Sequence, residues 1–194
     1  MPLLAGLGNP GRAYRDTPHN IGFAVVEVLA ARAGAEWRRG RGRSRVAKAL
    51  YATPPVVFLK PYAYMNRSGA PIEAALKRYG IPPSELFVIC DDVNLPLGQL
   101  RMRLSGSAGG HKGLLSILEE LETEAFARLR IGVGGGDPGA DLAAYVLRKF
   151  APALRDRVRQ VIDRAADAAE CFLREGGERA MNQFNRDWEE TKPL

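Results

Sequence analysis

Four polar side chains of this 194-residue chain could together hydrolyse an ester or an amide: Asn9, His19, Asn66 and Asp91. A histidine can take a proton from water at neutral pH, and a buried carboxylate on its other ring nitrogen fixes the tautomer and stabilises the imidazolium that forms. Amide side chains can hold a carbonyl and a water without adding charge. The sequence has no G-x-S-x-G motif, and Cys90 has no histidine near it in sequence, so we expect water to be the nucleophile.

Each of these residues also has a simpler interpretation. His19 follows Pro18 and could merely occupy the first turn of a helix. Asp91 and its neighbour Asp92 could cap a loop or bind Mg²⁺. The two asparagines stand beside a proline and a glycine and could be turn residues.

Apolar runs alternate with helical patterns along the whole chain, which predicts a single α/β domain. The runs that suit buried strands are residues 3–7, 46–51, 56–59, 86–90 and 129–133, with a half-exposed strand at 99–104. Helical spacing of apolar residues predicts helices over 17–32, 68–79, 111–121, 141–149 and from 152 to 175. Thr17 before Pro18 is typical of a helix N-cap, and Gly176-Gly177 of a helix end. If strands 3–7, 56–59 and 86–90 end at one edge of a sheet, the four polar residues converge there.

The segment GLGNPG at residues 6–11 has the G-x-G-x-x-G spacing of a dinucleotide-binding turn. Such a turn must lead directly into a helix, whose N-terminus holds the pyrophosphate. Here Asn9-Pro10 favours an extended chain and a turn, and the next helix start is delayed to Thr17. The acidic residue expected about 20 positions later is also missing, because Glu27 falls in the middle of a helix. The segment therefore predicts a loop at a strand end that presents Asn9.

The net charge of +6 favours an acidic partner. Basic residues crowd stretches 38–48 and 148–164, and two such clusters on one chain indicate a polyanion, most commonly nucleic acid. Two cysteines, two histidines and no C-x-x-C favour reduced thiols and no metal or cofactor. Without an apolar run of membrane-spanning length or a secretion signal, we expect a cytoplasmic protein.

Several motifs occur in an order and at a spacing that resemble the bacterial-type peptidyl-tRNA hydrolases over essentially the whole chain. They are GLGNPG, HNIG, KPYAYMNRSG, DDVNLPLGQLR, GGHKGL and RLRIGVG. The resemblance implies a monomeric single-domain α/β/α sandwich, with three layers around a twisted mixed sheet. It implies an enzyme that releases tRNA by hydrolysing the ester between a peptide and the tRNA 3′ end. The alternatives are an RNA-binding protein without activity on the same fold, and a general amidase or peptidase.

The resemblance also implies roles for individual residues. His19 is expected to be the base and Asp91 the carboxylate that orients it. The substrate-binding residues would be Asn9, Tyr14, Met65, Asn66 and Lys112, and the tRNA-binding ones Arg103, Arg130, Arg148, Lys149, Arg155 and Arg159. Residues 137–149 resemble a mobile lid, and the helix over about 152–175 the element that meets the acceptor arm. Lys112 stands where many members have asparagine, so a group that donates and accepts hydrogen bonds becomes one that only donates.

Overall fold

A mixed β-sheet forms the centre of the molecule. The computed structural model describes residues 1–50, 54–134, 141–186 and 188. Within these residues the strands are β1 (Leu3–Gly6), β2 (Arg38–Arg39), β3 (Ser44–Ala49), β4 (Val56–Pro61), β5 (Leu86–Asp92), β6 (Leu100–Arg103) and β7 (Ala127–Gly132). Their order in the sheet is β2-β3-β4-β1-β5-β7-β6. The four central strands β4, β1, β5 and β7 are parallel, and the outer strands β2, β3 and β6 pair antiparallel with their neighbours.

Helices cover both faces of this sheet. They are α1 (Ile21–Arg32), α2 (Gly69–Tyr79), α3 (Lys112–Leu121), α4 (Leu142–Leu147), α5 (Arg155–Glu175) and α6 (Gly177–Phe184). Because side chains alternate along a strand, Phe87 and Ile89 of β5 pack with α1 and α5 on one face, whereas Val88 packs with α2 and α3 on the other. The three-layer α/β/α sandwich that the sequence predicted is therefore confirmed.

The structure contains the six predicted strands and the five predicted helices, with shifted ends. Two parts of the predictions lie outside the described residues. They are residue 51, the last of the predicted strand 46–51, and residues 137–140 of the predicted lid. Thr17 occupies the predicted N-cap position, but of a 3-10 turn, Pro18–Asn20, that leads into α1. Its hydroxyl caps no N–H of this turn and donates instead to Tyr14 O at 2.8 Å. Among the described strands and α-helices, β2 and α6 were not predicted. The strand β2 consists of two exposed arginines without an apolar pattern, and the helix α6 begins at Gly177, directly after Gly176, where the sequence predicted only a helix end.

Close contact between α1 and the sheet explains two glycines. A Cβ on Gly6 would lie 2.1 Å from Gly22 O, and a Cβ on Gly22 would lie 2.3 Å from Ile89 O. Neither contact is possible for a larger residue without moving backbone. Gly6 of GLGNPG and Gly22 of α1 thus allow the approach of α1 to β1 and β5, which brings the start of α1 to the carboxyl ends of these strands. Among the described residues, no helix has the length and apolar character needed to cross a membrane.

Candidate active site

A pocket of about 580 Å³ opens at the carboxyl ends of β1 and β5. This is where open α/β sheets commonly bind ligands. The structure brings together in its lining eight of the residues singled out from the sequence: Asn9, Tyr14, His19, Met65, Asn66, Asp91, Lys112 and Arg130. We call this depression the catalytic pocket.

His19 and Asp91 form a hydrogen-bonded pair at the base of the catalytic pocket. His19 Nδ1 lies 2.9 Å from Asp91 Oδ1 and 3.0 Å from Oδ2. The Asp91 side chain is 2 % exposed and that of His19 13 % exposed. Asn20 fixes the turn that carries His19, because its side chain accepts from Asn9 N–H at 2.8 Å and donates to Asn9 O at 2.9 Å. This clamp joins the loop after β1 to the start of α1.

His111 is a second histidine partner of Asp91, to which the sequence analysis assigned no role. Its Nε2 lies 3.0 Å from Asp91 Oδ1, while its Nδ1 accepts the backbone N–H groups of Gly113 and Leu114 at 3.1 and 3.2 Å. An atom that accepts two N–H groups carries no hydrogen, so the hydrogen of neutral His111 is on Nε2 and points at Asp91. His111 is also the N-cap of α3, and the only signal in the sequence was a histidine as the first residue of the predicted helix 111–121.

Asp91 accepts from both imidazoles, and this sets its charge. Burial of the Asp91 carboxyl raises its pKa, but the hydrogen bonds from His111 and His19 outweigh burial and hold the pKa well below its usual range. An ionised carboxylate has no hydrogen to donate, so His19 Nδ1 is the donor in its pair with Asp91. In neutral His19 the other nitrogen, Nε2, is then an acceptor available to the pocket. The adjoining thiol of Cys90 is inert, because burial and the Asp91 charge raise its pKa above the usual range.

The side chain of Asn9 is held so that its amide NH₂ group is left for a ligand. Its Oδ1 accepts the backbone N–H of Met65 at 2.8 Å, which identifies this atom as the oxygen. No described residue forms a hydrogen bond with Nδ2, although Asn9 is only 6 % exposed and lines the pocket. Asn66 follows Met65 in a 3-10 turn and is exposed at the rim. Asn9 thus has a structural contact as well as a free donor.

Asp92 points away from the histidines and has different partners. Its Oδ1 accepts the backbone N–H of Asn94 at 3.0 Å, and its Oδ2 lies 2.9 Å from Arg130 Nη2. The interpretation of Asp91 and Asp92 as a Mg²⁺-binding pair is therefore not supported, since each carboxylate is engaged separately. Arg130 lies inside the catalytic pocket rather than on an outer surface, with 23 % of its side chain exposed.

His19, Asp91 and His111 are also close enough to hold a metal ion, since their ligand atoms lie within 4.8 Å of one another. The hydrogen bonds do not suit a metal. His111 Nε2 carries a hydrogen instead of a lone pair, and Asp91 accepts from both rings. The arrangement suits a histidine base with an orienting carboxylate better than it suits a metal centre.

Comparison with known proteins agrees with this arrangement. The family model described as Peptidyl-tRNA hydrolase matches residues 3–192. The chain belongs to the peptidyl-tRNA hydrolase family. It is 44 % identical over 186 residues to the Peptidyl-tRNA hydrolase of Chlorobium phaeobacteroides, covering 96 % of this chain and 98 % of that one. The Chloroflexus aggregans relative of the same name is 45 % identical over 186 residues, covering 95 % and 99 %. The crystal structure of peptidyl-tRNA hydrolase from Acinetobacter baumannii superposes with a TM-score of 0.85 at 32 % identity, covering 95 % and 94 %.

In this member of the peptidyl-tRNA hydrolase family, an apolar wall faces the histidines across the catalytic pocket. It consists of Leu142, Val146 and Leu147 with Ala143, all from α4. Tyr145 anchors α4, because its hydroxyl donates to Val133 O at 2.8 Å, just beyond β7. Exposed Lys112, the first residue of α3, adds a cation to the pocket lining. The pocket therefore combines an apolar side with a polar base.

A groove of about 950 Å³ begins beside the catalytic pocket and shares Asn9 with it. We call it the proximal groove. Seven basic side chains line it, against Asp16 and Glu27: Arg12, Arg15, Arg45, Lys60, Lys149, Arg155 and Arg159. The groove brings together residues of both basic clusters, which are about a hundred residues apart in sequence: Arg45 from 38–48, and Lys149, Arg155 and Arg159 from 148–164. Arg103 and Arg148 are exposed but line neither the pocket nor this groove.

Proposed function

We propose that this chain hydrolyses the ester bond between a peptide and the 3′ end of tRNA. The observation that carries the proposal is the chain of hydrogen bonds from His111 through Asp91 to His19. It fixes both tautomers and leaves His19 Nε2 as a base that faces the catalytic pocket. Membership in the family supplies the substrate class.

In the first step, His19 Nε2 takes a proton from a water molecule while the water oxygen attacks the ester carbonyl carbon. The positive charge that forms on His19 lies 2.9 Å from the Asp91 carboxylate, which stabilises it without taking the proton. Because Asp91 is 2 % exposed, this attraction is screened less by solvent and salt than a surface pair would be.

The attack places negative charge on the former carbonyl oxygen. Asn9 Nδ2, held by the contact of Oδ1 with Met65, is a preorganised donor for that oxygen. Lys112 and Asn66 line the same pocket, and their donors can reach an oxyanion or the peptide carbonyls. Removal of one such donor typically costs about 10²–10³ in kcat.

In the second step, the imidazolium of His19 donates its proton to the 3′ oxygen as the carbon–oxygen bond breaks. The products are a tRNA with a free 3′ hydroxyl and a peptide acid that loses its proton to solvent. His19 is neutral again, so the cycle closes without a cofactor or a covalent enzyme intermediate. All the groups come from one chain, which is consistent with a monomeric enzyme.

The proximal groove is suited to the acceptor arm of the tRNA. Lys149, Arg155 and Arg159, three of the residues expected to bind tRNA, lie in it directly beside the catalytic pocket. Arg159 is paired only with Asp156 at 3.6 Å, and both side chains are more than 70 % exposed. An exposed pair of this kind is weak and is readily exchanged for a phosphate.

The test is an assay of three substrates in the presence of a chelator: peptidyl-tRNA, a peptide esterified to a single nucleotide, and a small peptide ester without nucleotide. We expect fast hydrolysis of peptidyl-tRNA, slower hydrolysis of the mononucleotide ester through a higher KM, and little of the simple ester. Hydrolysis should be lost with His19→Ala in every case. Binding of tRNA without hydrolysis would favour the non-catalytic alternative, and equal rates on all three would indicate a general esterase or amidase.

A further inference from the structure

A second basic groove, of about 1070 Å³, runs along the outer strands β2 and β3. The turn between these strands, with Arg39 and Arg41, lies beside the carboxyl end of β4, because Ser44 pairs with Pro61, whereas the rest of the groove reaches the end of the sheet opposite the catalytic pocket. That part is bordered by the end of α1, the end of β3 and the start of β4. Since β4 runs parallel to β1, this is the amino end of the parallel strands, whereas the catalytic pocket is at their carboxyl end. We call the whole groove the distal groove; its basic lining includes Arg38, Arg39, Arg41, Lys48, Arg78 and Arg174.

Most of these charges are not neutralised by the protein. Arg32 also lines the groove, but its guanidinium lies 2.7 Å from Asp167 Oδ1. Arg38 is 3.6 Å from Glu36 in a pair whose two side chains are more than 80 % exposed, so this pair contributes little. The other five basic residues form no ion pair with the described part of the chain. The groove therefore presents a strong positive potential to a polyanion.

The basic rim is held in a defined shape. The turn between β2 and β3 is closed by Gly40 N–H, which donates to Ser44 O at 2.9 Å, and by Ser44 Oγ, which donates to Arg41 O at 2.7 Å. At the other end of β3, Lys48 Nζ lies 4.5 Å from the ring centroid of half-buried Tyr79. Positive charges fixed around an aromatic ring suit phosphates and bases of RNA better than they suit a flat lipid surface.

The two basic grooves follow the same two helices. The proximal groove is lined by the first half of α1 and the start of α5, and the distal groove by the end of α1 and the end of α5. The 12 residues of α1 extend about 18 Å. An A-form RNA duplex rises less than the roughly 3.4 Å per base pair of DNA, so this separation corresponds to at least about five base pairs.

We propose that the distal groove binds the phosphate backbone of the same RNA whose 3′ end enters the catalytic pocket, at least about five base pairs from that end. The proposal rests on the proposed function for the identity of the RNA. It extends the RNA contact surface from the 3′ end of the RNA to a part of the duplex farther from that end. It predicts that the basic residues of the distal groove affect KM only for substrates with a long duplex.

The test compares two triple variants on two substrates. The distal variant is Lys48→Gln, Arg78→Gln and Arg174→Gln. The control, Lys149→Gln, Arg155→Gln and Arg159→Gln in the proximal groove, removes the same charge. The substrates carry the same peptide on acceptor duplexes of about three and about twelve base pairs. We expect the control to raise KM on both duplexes, and the distal variant to raise KM about tenfold on the long duplex alone, with a salt dependence weaker by up to about three units.

Three results would overturn the proposal. In the first, the distal variant has the KM of the wild type on the long duplex. In the second, its KM is raised equally on the short and the long duplex, which would indicate an effect of net charge or folding. In the third, it loses affinity for poly-glutamate while its affinity for RNA is unchanged, which would indicate an acidic protein partner. Binding of the deacylated long duplex to both variants is measured in parallel by fluorescence anisotropy. If no substrate is hydrolysed, the proposed function fails, but this binding measurement still decides the role of the distal groove.

Discussion

The substitution Asp91→Asn tests the hydrogen-bond chain that is central to the proposed mechanism. Asp91 Oδ1 faces both His19 Nδ1 and His111 Nε2, at 2.9 and 3.0 Å, and Oδ2 faces only His19 Nδ1, at 3.0 Å. The backbone N–H groups of Gly113 and Leu114 keep the hydrogen of His111 on Nε2. An asparagine must therefore place its oxygen at the Oδ1 position and its NH₂ group 3.0 Å from His19 Nδ1.

His19 Nδ1–H would then share the oxygen at 2.9 Å with His111, while the NH₂ group opposes it at 3.0 Å. This repulsion is relieved when His19 moves its hydrogen to Nε2. In that tautomer Nε2 no longer accepts a proton from water. A hydrogen bond to a charged group is worth about 1.5–3 kcal/mol, which alone corresponds to roughly 10- to 100-fold in rate. The wrong tautomer adds to this, and the same change in a serine protease triad costs about 10⁴ in kcat. We expect kcat of Asp91→Asn to fall by about 10² to 10⁴, with little change in KM.

The assay is steady-state hydrolysis of peptidyl-tRNA, with thermal unfolding measured on the same samples to verify the fold. A second variant adds His111→Ser to Asp91→Asn. Serine retains the N-cap of α3 but is too short to reach residue 91, so the amide is free to turn its oxygen toward His19, and kcat should recover about tenfold. The reasoning is refuted if Asp91→Asn has a kcat within about threefold of the wild type, or if the added serine lowers kcat further.

Other predictions concern the base, the fold and acid stability. His19→Ala should lower kcat about a hundredfold or more, while anisotropy titration shows the wild-type affinity for deacylated tRNA. Gly22→Ala would place a Cβ 2.3 Å from Ile89 O, and because backbone must move, thermal denaturation should show a loss of about 3 kcal/mol or more. Because the pKa of Asp91 is lower in the folded than in the unfolded chain, its ionised carboxylate stabilises the fold at pH values above its unfolded pKa of about 4. This contribution is lost as the pH falls through the folded pKa. Acid unfolding of Asp91→Asn should accordingly depend less on pH below 4 than that of the wild type.

The convergence of Asn9, His19, Asn66 and Asp91 was predictable because local patterns determine it. Three of them follow apolar runs that become the parallel strands β1, β4 and β5, and parallel strands end at one edge of a sheet. His19 opens the helical segment that must return from that edge. Strand periodicity and turn residues therefore locate these side chains without knowledge of their contacts.

The role of His111 depends on contacts that no local pattern reveals. It lies in the loop after β6, an antiparallel edge strand, so the rule for parallel strand ends does not apply to it. Its tautomer is decided by the backbone of its own helix, and its partner Asp91 is 20 residues away. The orientation of the Asn9 amide likewise depends on the backbone N–H of Met65, which is 56 residues away. Residue type predicted the chemistry available, but only the fold determines which atom donates.

The charges proposed to attract RNA and those proposed to perform chemistry lie in different parts of this fold. In the catalytic pocket, Asp91 is held by two imidazoles and Asp92 by Arg130, so the buried carboxylates are satisfied by partners inside the protein. Most of the exposed cations lie outside the catalytic pocket, in the two basic grooves, and Lys112 is the exposed lysine in the pocket lining. Surface charges are screened within about 8–10 Å at physiological salt, whereas buried pairs are screened much less. We therefore expect ionic strength to weaken the binding of RNA to the two basic grooves while it leaves the hydrogen-bonded His19–Asp91 pair largely unchanged, so that salt raises KM more than it lowers kcat.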